Sequence, residues 1–330
     1  MDFQKLIIRY RQFGGFRLVR EYARLGVLPV VVKGFFRCLV KRQSFKGIYP
    51  EVLRIIEPYL VKRYSPVMRS NMSDERSNTF EHEHPKVIWW CWLQGIEQAP
   101  GIVKACYNSL SPLKVNAYEV KVIDNTNWRE YVELPGYIVE KWEKGRIPAA
   151  MFSDLLRVEL LVKYGGTWID STVLYTGSKH QDSGFKFQEY LDADLFVFQY
   201  TKPGCVPVSI SNWFITACTN NEVLMVLRDM LHAHWRDYDC VLDYYIFHLF
   251  FAMISKEYPE QMAAMPYAQS QRSIALMKHL GARFEQSQWD SLVSRVCFHK
   301  LSFRLPESFL RDKSNYLNHI LTTYHPESDN

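Results

Sequence analysis

Ala150-Met151-Phe152-Ser153-Asp154-Leu155-Leu156-Arg157, continued by Val158 to Tyr164 and then by Gly165-Gly166-Thr167-Trp168-Ile169-Asp170-Ser171-Thr172, is the stretch whose reading decides the fold. Pro148 suits the first turn of a helix, where its missing N–H costs nothing, and the paired glycines suit the helix end. The chain then returns as a short strand, Thr167 to Asp170, that finishes on an acid. Asp154 and Arg157 are three apart and share one helical face. On a solvated face such a pair contributes about 0.3 kcal/mol. This helix is otherwise largely apolar and the acid at the strand end follows at once, which favours a functional pair. In open α/β sheets ligands bind beyond the carboxyl ends of strands, where Asp170 falls.

Outward from this stretch the same texture repeats. Val87 to Trp92 is a short apolar run that suits a buried strand, and Tyr118 to Ile123, Leu195 to Tyr200 and Ser209 to Ala217 read as further strands. Helices are expected over Pro100 to Leu110 and Pro135 to Lys144, and over most of the chain from Glu222 to the short strand Val296-Cys297-Phe298, which His299-Lys300 follows. Strand–helix alternation of this kind predicts an α/β fold with a mainly parallel sheet and helices on both faces.

Three segments are expected: a basic helical region 1–64, a polar linker 65–84 and an α/β domain 85–330. The first holds 14 Lys/Arg against 4 Asp/Glu, a balance of +10, whereas the remainder holds 26 against 31, or −5. Apolar residues are interleaved with the basic ones, and two or three short helices broken near Gly14-Gly15 and Pro29 are predicted. Two readings stand side by side: docking on an anionic membrane surface, or a helical subdomain packed on the core with its charges in water. No recognition motif accompanies the charge, so nucleic acid is not an expected partner. The longest charge-free stretch near the N-terminus, Leu25 to Val32, has 8 residues. A membrane span needs about 20, and no signal peptide is discernible. Seven cysteines, odd in number and never in a CxxC, argue against a disulfide framework or a zinc site and favour a reducing compartment.

The segment from Phe152 to Arg157, with Tyr164-Gly165-Gly166-Thr167-Trp168-Ile169-Asp170, resembles the core motif of the glycosyltransferases with a DxD-containing sugar-binding region. That group includes capsular polysaccharide synthesis proteins, yeast-type initiating mannosyltransferases and the large clostridial glucosylating toxins. Ile88-Trp89-Trp90-Cys91-Trp92-Leu93-Gln94-Gly95 resembles the group's first strand and loop. Ser211-Asn212-Trp213-Phe214 and Asp243-Tyr244-Tyr245-Ile246-Phe247-His248 look closest to the capsular branch. The resemblance spans roughly residues 85–305 and implies a GT-A-type fold with a helical N-terminal appendage.

Residue by residue, it implies that Asp154 and Arg157 bind and orient the donor sugar, that Trp168 lies near the donor, and that Asp170 binds metal or diphosphate. Trp92 and Gly95 would belong to the nucleotide site, Trp92 stacking on the base or, alternatively, serving as a core tryptophan. Asp243 and His248 are acceptor-side catalytic candidates, although a histidine in an aromatic helix is also a common core residue. Lys300 could meet a phosphate as a point charge. The family's second acid is replaced: Asp170-Ser171-Thr172 stands where Asp-x-Asp is expected. A divalent cation (manganese or magnesium) held by Asp170 and Thr172 is therefore an expectation weakened by the lost carboxylate. The literal Asp192-Ala193-Asp194 precedes a strand and lacks the upstream helix, so it is set aside. His82 and His84 read as solvated loop residues, and His232 and His234 as helix-surface ones.

The resemblance thus implies transfer of a sugar, with retention, from a nucleotide donor such as a UDP-sugar to a lipid-linked capsular or surface glycan. The enzyme would sit in the cytoplasm, peripheral to the inner face of the membrane. Rival readings are a transferase that glycosylates protein, and a sugar-nucleotide-binding or assembly protein that lost catalysis with its second acid.

Overall fold

Over the stretch that decides the fold, the computed structural model places a helix, Ala149–Tyr164, running into strand β3, Gly166–Asp170. The turn between them needs glycine: Gly166 has φ +88°, and a Cβ on it would stand 2.5 Å from the carbonyl oxygen of Val87. The structure describes residues 3–42, 45–72, 83–177, 187–200 and 210–325.

Among the described residues the central sheet has five strands in the order β2-β1-β3-β6-β5, where β1 is Val87–Cys91, β2 Glu119–Ile123, β5 Leu195–Gln199 and β6 Ile210–Ala217. The β1 strand pairs in parallel with β2 and β3, whereas β6 runs antiparallel to β3 and to β5. Four strands therefore point one way and β6 the other, which is the mainly parallel α/β class expected. A two-stranded ribbon of β4 (Val173–Tyr175) and β7 (Phe298–Lys300) leaves the end of β3. The last strand begins two residues later than the sequence suggests, so Lys300 lies inside it and not after it.

Both faces of the sheet are covered. Val87, Trp89 and Cys91 join one core, and Ile88 and Trp90 join the other, following the two-residue period of a strand. The first core takes in Ala149–Tyr164, Glu222–Asp237 and Ile246–Ile254; Gly101–Ser109 and Tyr316–Tyr324 supply residues to the second.

The N-terminal region folds as α1 (Phe3–Gln12), α2 (Phe16–Arg24), α3 (Leu28–Lys41) and the long α4 (Tyr49–Met72). The break at Gly14-Gly15 is present. The second break precedes Pro29, which sits in the first turn of α3 where it is tolerated. Helix α4 carries a four-residue repeat, Val52, Ile56, Leu60, Tyr64 and Met68, all buried in the first core. Its interior prolines, Pro58 and Pro66, lie on the exposed side. These helices therefore pack on the α/β core, as one of the two readings of the N-terminus expects. Helix α4 also runs through Ser65 to Met72, into the range read as linker; residues 73–82, with His82, lie outside the described ones. No helix of the described residues is long and apolar enough to cross a membrane.

One smaller expectation needs correction. His234 is fully buried among Tyr64, Trp235 and Tyr238, because it faces the α4 stripe, and burial pushes its pKa down to about 3. His84 is exposed, as expected of a loop residue, and its Nε2 lies 3.0 Å from Asp194 Oδ1.

Candidate active site

In register, Cys91 lies level with both Ile123 and Asp170, so Trp92, Asp124 and Asp170 gather at the carboxyl ends of three parallel strands. Asp192-Ala193-Asp194 is remote from them: Leu195 is level with Ala217, and Ala217 with Gly166, which puts that triplet at the amino-terminal edge of the sheet.

At the carboxyl edge four charged side chains interlock. Arg157 is 4% exposed, and its Nη1 donates to the Asn212 carbonyl at 2.5 Å while standing 3.2 Å from Asp154 Oδ1. Its Nη2 lies 3.2 Å from Asp170 Oδ1, and the guanidinium sits over the Trp168 ring at 5.0 Å. Trp168 Nε1 donates to the same Asp170 oxygen at 2.9 Å, and Asn212 Nδ2 donates to Asp154 Oδ1 at 2.9 Å. The Arg157 Nε is buried without a partner. Lys300 completes the cluster: its Nζ donates to Asp170 Oδ2 at 2.6 Å and to Thr172 Oγ1 at 2.7 Å. The ribbon makes this possible by pairing Lys300 with Val173.

The two carboxylates respond in opposite ways because they share one arginine. Burial raises Asp154 to a pKa of about 7; Arg157 opposes the shift and Asp170 adds to it. Burial acts on Asp170 as well, but Lys300 and Arg157 together outweigh it and hold that carboxyl below its ordinary value. Asp170 is thus the anionic member, and Asp154 is poised between charged and neutral near physiological pH.

Asp154, Arg157, Asp170 and Asn212 line a cavity of about 260 Å³, together with His248 and the tyrosines Tyr244 and Tyr245. His248 is driven to a pKa of about 3, by burial and then by Arg157, so it faces the cavity as a neutral ring with its Nδ1 unpartnered. Asp243 is buried next door, 4% exposed, and desolvation raises it to about 6. Trp92 and Gly95 do not line this cavity. The Trp92 indole is half-buried, edge-on to Phe303 at 5.2 Å, and Gly95 adopts φ +81° beside Asp124. Asn212, Tyr244 and Tyr245 were within quoted motifs but carried no assigned role, and Tyr49, which bonds Asp243, had no signal in the sequence.

The residues present do not fit a divalent cation at Asp170 and Thr172. Both Asp170 oxygens and Thr172 Oγ1 are engaged, and an ammonium already bridges the two oxygens a metal would need. Hard cations take six or more oxygen ligands, usually with several carboxylates. No group of three or more His, Cys, Asp or Glu able to hold a metal ion occurs among the described residues.

A family model described as capsular polysaccharide synthesis protein matches residues 37–320. The match begins before α4, so that helix, left outside the resemblance on sequence grounds, falls within it. No curated protein matches the sequence. A solved structure titled PaToxG Glycosyltransferase is similar at 13% identity with a TM-score of 0.38, covering 73% of this chain and 94% of its own, too distant to carry an argument.

Proposed function

The chain belongs to the capsular polysaccharide synthesis protein family, and from that premise we propose that it transfers a sugar, with retention, from a UDP-sugar to a lipid-linked surface glycan. The observation that carries this reading is the buried Asp154–Arg157–Asp170–Lys300 cluster, at the carboxyl ends of parallel strands and facing a cavity walled by tyrosines. A nucleotide sugar brings a diphosphate that must be balanced by positive charge, and such preorganised charge is a major source of rate acceleration. Lys300 is the more accessible cation, with 22% of its side chain exposed against 4% for Arg157. In this reading Lys300 meets the diphosphate, Arg157 holds the two acids in place, and Asp154 bonds a donor-sugar hydroxyl. The acceptor hydroxyl oxygen bonds to the anomeric carbon as the bond from that carbon to the diphosphate breaks. The diphosphate leaves with the electron pair, and the hydroxyl proton passes to one of its oxygens.

A peripheral place on an anionic membrane is supported by the outer side of the N-terminal helices. Val32, Phe36 and Val40 recur at four-residue spacing on α3 and are 44%, 61% and 85% exposed, and Phe16 on α2 is 77% exposed. Exposed Arg17, Arg24, Lys33 and Lys41 flank them. Apolar residues that enter the headgroup region, with basic ones that meet anionic lipid, make an interfacial surface.

The donor reading is tested by thermal denaturation with UDP-, GDP- and dTDP-sugars, with and without manganese, followed by product analysis. A ligand at a hundred times its Kd stabilises the native state by about 2.7 kcal/mol. The expected result is a raised midpoint with one nucleotide class and slow hydrolysis of that donor. If no nucleotide sugar moves the midpoint or is consumed, the reading fails.

A further inference from the structure

Beside the donor cavity lies a larger one, of about 420 Å³, walled by Phe13, Tyr22 and Tyr49 from the N-terminal helices and by Asp243, Tyr244 and Arg304 from the body of the protein. Ala150, Tyr244 and Tyr245 line both cavities, so the two adjoin across a tyrosine pair. Tyr244 is close enough to Asp154 and Asp170 that, after burial, their charges help to raise its pKa.

The polar centre of this second cavity is Asp243. Its Oδ1 accepts from the Tyr49 hydroxyl at 3.0 Å and from the Tyr245 amide at 2.7 Å, while Oδ2 takes no hydrogen bond among the described residues. An oxygen that the protein leaves without a donor at the wall of a cavity is open to a donor carried by whatever enters it. The aromatic walls are held in place around it. Phe13 stacks on Tyr244 at 6.0 Å and 23°, and the Tyr22 hydroxyl donates to the Leu242 carbonyl at 3.0 Å. The turn after α1 is fastened to the body by a bond from the Val241 amide to the Phe13 carbonyl at 3.0 Å. Glycine is required there: Gly14 has φ +113°, and a Cβ would stand 2.5 Å from the Cys240 Cβ.

Resting on the donor reading of the neighbouring cavity, we infer that this second cavity holds the terminal sugar of the acceptor glycan, with Asp243 Oδ2 accepting hydrogen bonds from its hydroxyls. A pyranose offers an apolar face to aromatic rings and a rim of hydroxyl donors to a carboxylate. A phosphate offers neither and is repelled by Asp243 once that acid ionises. The position also suits the reaction, because a sugar here meets the donor across Tyr244 and Tyr245. Of this wall, Tyr22 lies on α2, the helix that also carries exposed Phe16, and Phe13 lies in the turn just before it, so a lipid-borne glycan would reach the cavity from that side. The N-terminal helices are then part of the substrate site as well as a docking element.

The test uses the full chain and a panel of soluble para-nitrophenyl monosaccharides as probes. Probe binding is followed by saturation-transfer NMR and calorimetry with UDP present, and UDP binding is measured separately. The wild type should bind at least one glycoside. Asp243→Asn should weaken that binding about tenfold or more, as expected for a lost charge-assisted hydrogen bond. Phe13→Ala, at a half-buried wall position, should weaken it several-fold, and UDP affinity should move by less than about twofold in either variant. UDP binding without binding of any glycoside overturns the inference while sparing the donor reading. Unchanged glycoside affinity in both variants, or a parallel loss of UDP affinity, also overturns it. Failure of the wild type to bind any nucleotide sugar overturns both readings together.

Discussion

Replacing Lys300 with methionine removes the ammonium and keeps the length of the stem. The structure allows the two consequences to be weighed separately. Lys300 Nζ lies 2.6 Å from Asp170 Oδ2, and the two side chains are 22% and 23% exposed, so solvent screens part of their attraction. Asp170 retains Arg157 and Trp168 after the change and is not left as an unpaired buried charge. The stability loss should therefore be about 1–2 kcal/mol, between an exposed and a buried pair. Transfer should suffer more. Loss of one preorganised charge opposite a leaving group typically costs about 10²–10³ in kcat, or about 2.7–4 kcal/mol. The variant also vacates the position between Asp170 Oδ2 and Thr172 Oγ1. Wild type should bind no manganese detectably without UDP, and Lys300→Met with Thr172→Asp should bind it more tightly, because a hard cation gains a charged oxygen ligand. The assays are single-turnover transfer, urea denaturation and calorimetric titration of manganese. Transfer within about threefold of wild type, on the order of 0.6 kcal/mol, would refute the role of Lys300. Loss of wild-type activity in EDTA with full recovery in manganese would refute it equally.

Asp170→Asn should abolish transfer and, contrary to what its strand-end position alone suggests, also lower stability by about 3 kcal/mol, since buried Arg157 and Lys300 lose a shared counter-charge; thermal denaturation of the purified variant checks this. Asp154, with its folded pKa raised to about 7, favours the folded state when protonated, so its destabilising contribution is absent below pH 3.8, grows through the interval and is complete above about 7. Asp154→Asn should accordingly flatten the fall in stability between pH 5 and pH 7.5, and an unaltered slope in urea denaturation would show that Asp154 is not the group responsible. Vesicle co-sedimentation should rise with anionic lipid, fall steeply with salt, and weaken on Phe16→Ser with Phe36→Ser; equal binding to neutral vesicles would exclude the electrostatic part.

Sequence alone determined what depends on short-range periodicity. The apolar helix from Ala149 to Tyr164, the glycine turn and the strand ending at Asp170 follow from local preferences, and the three-residue spacing put Asp154 and Arg157 on one face. The alternation of strands and helices was legible for the same reason, and so was the family. Tertiary structure decided what required distant segments to meet. Lys300 reaches Asp170 across a separation of 130 residues because β7 pairs with β4, a register no local pattern specifies. Tyr49 reaches Asp243 across 194 residues because the buried stripe of α4 docks that helix on the core. Trp92 meets Phe303 edge-on, a contact between residues far apart in the chain that its own sequence neighbours do not encode. A carboxylate at a strand end can be read from the chain, but whether a metal or an ammonium answers it depends on which side chain the fold delivers from elsewhere.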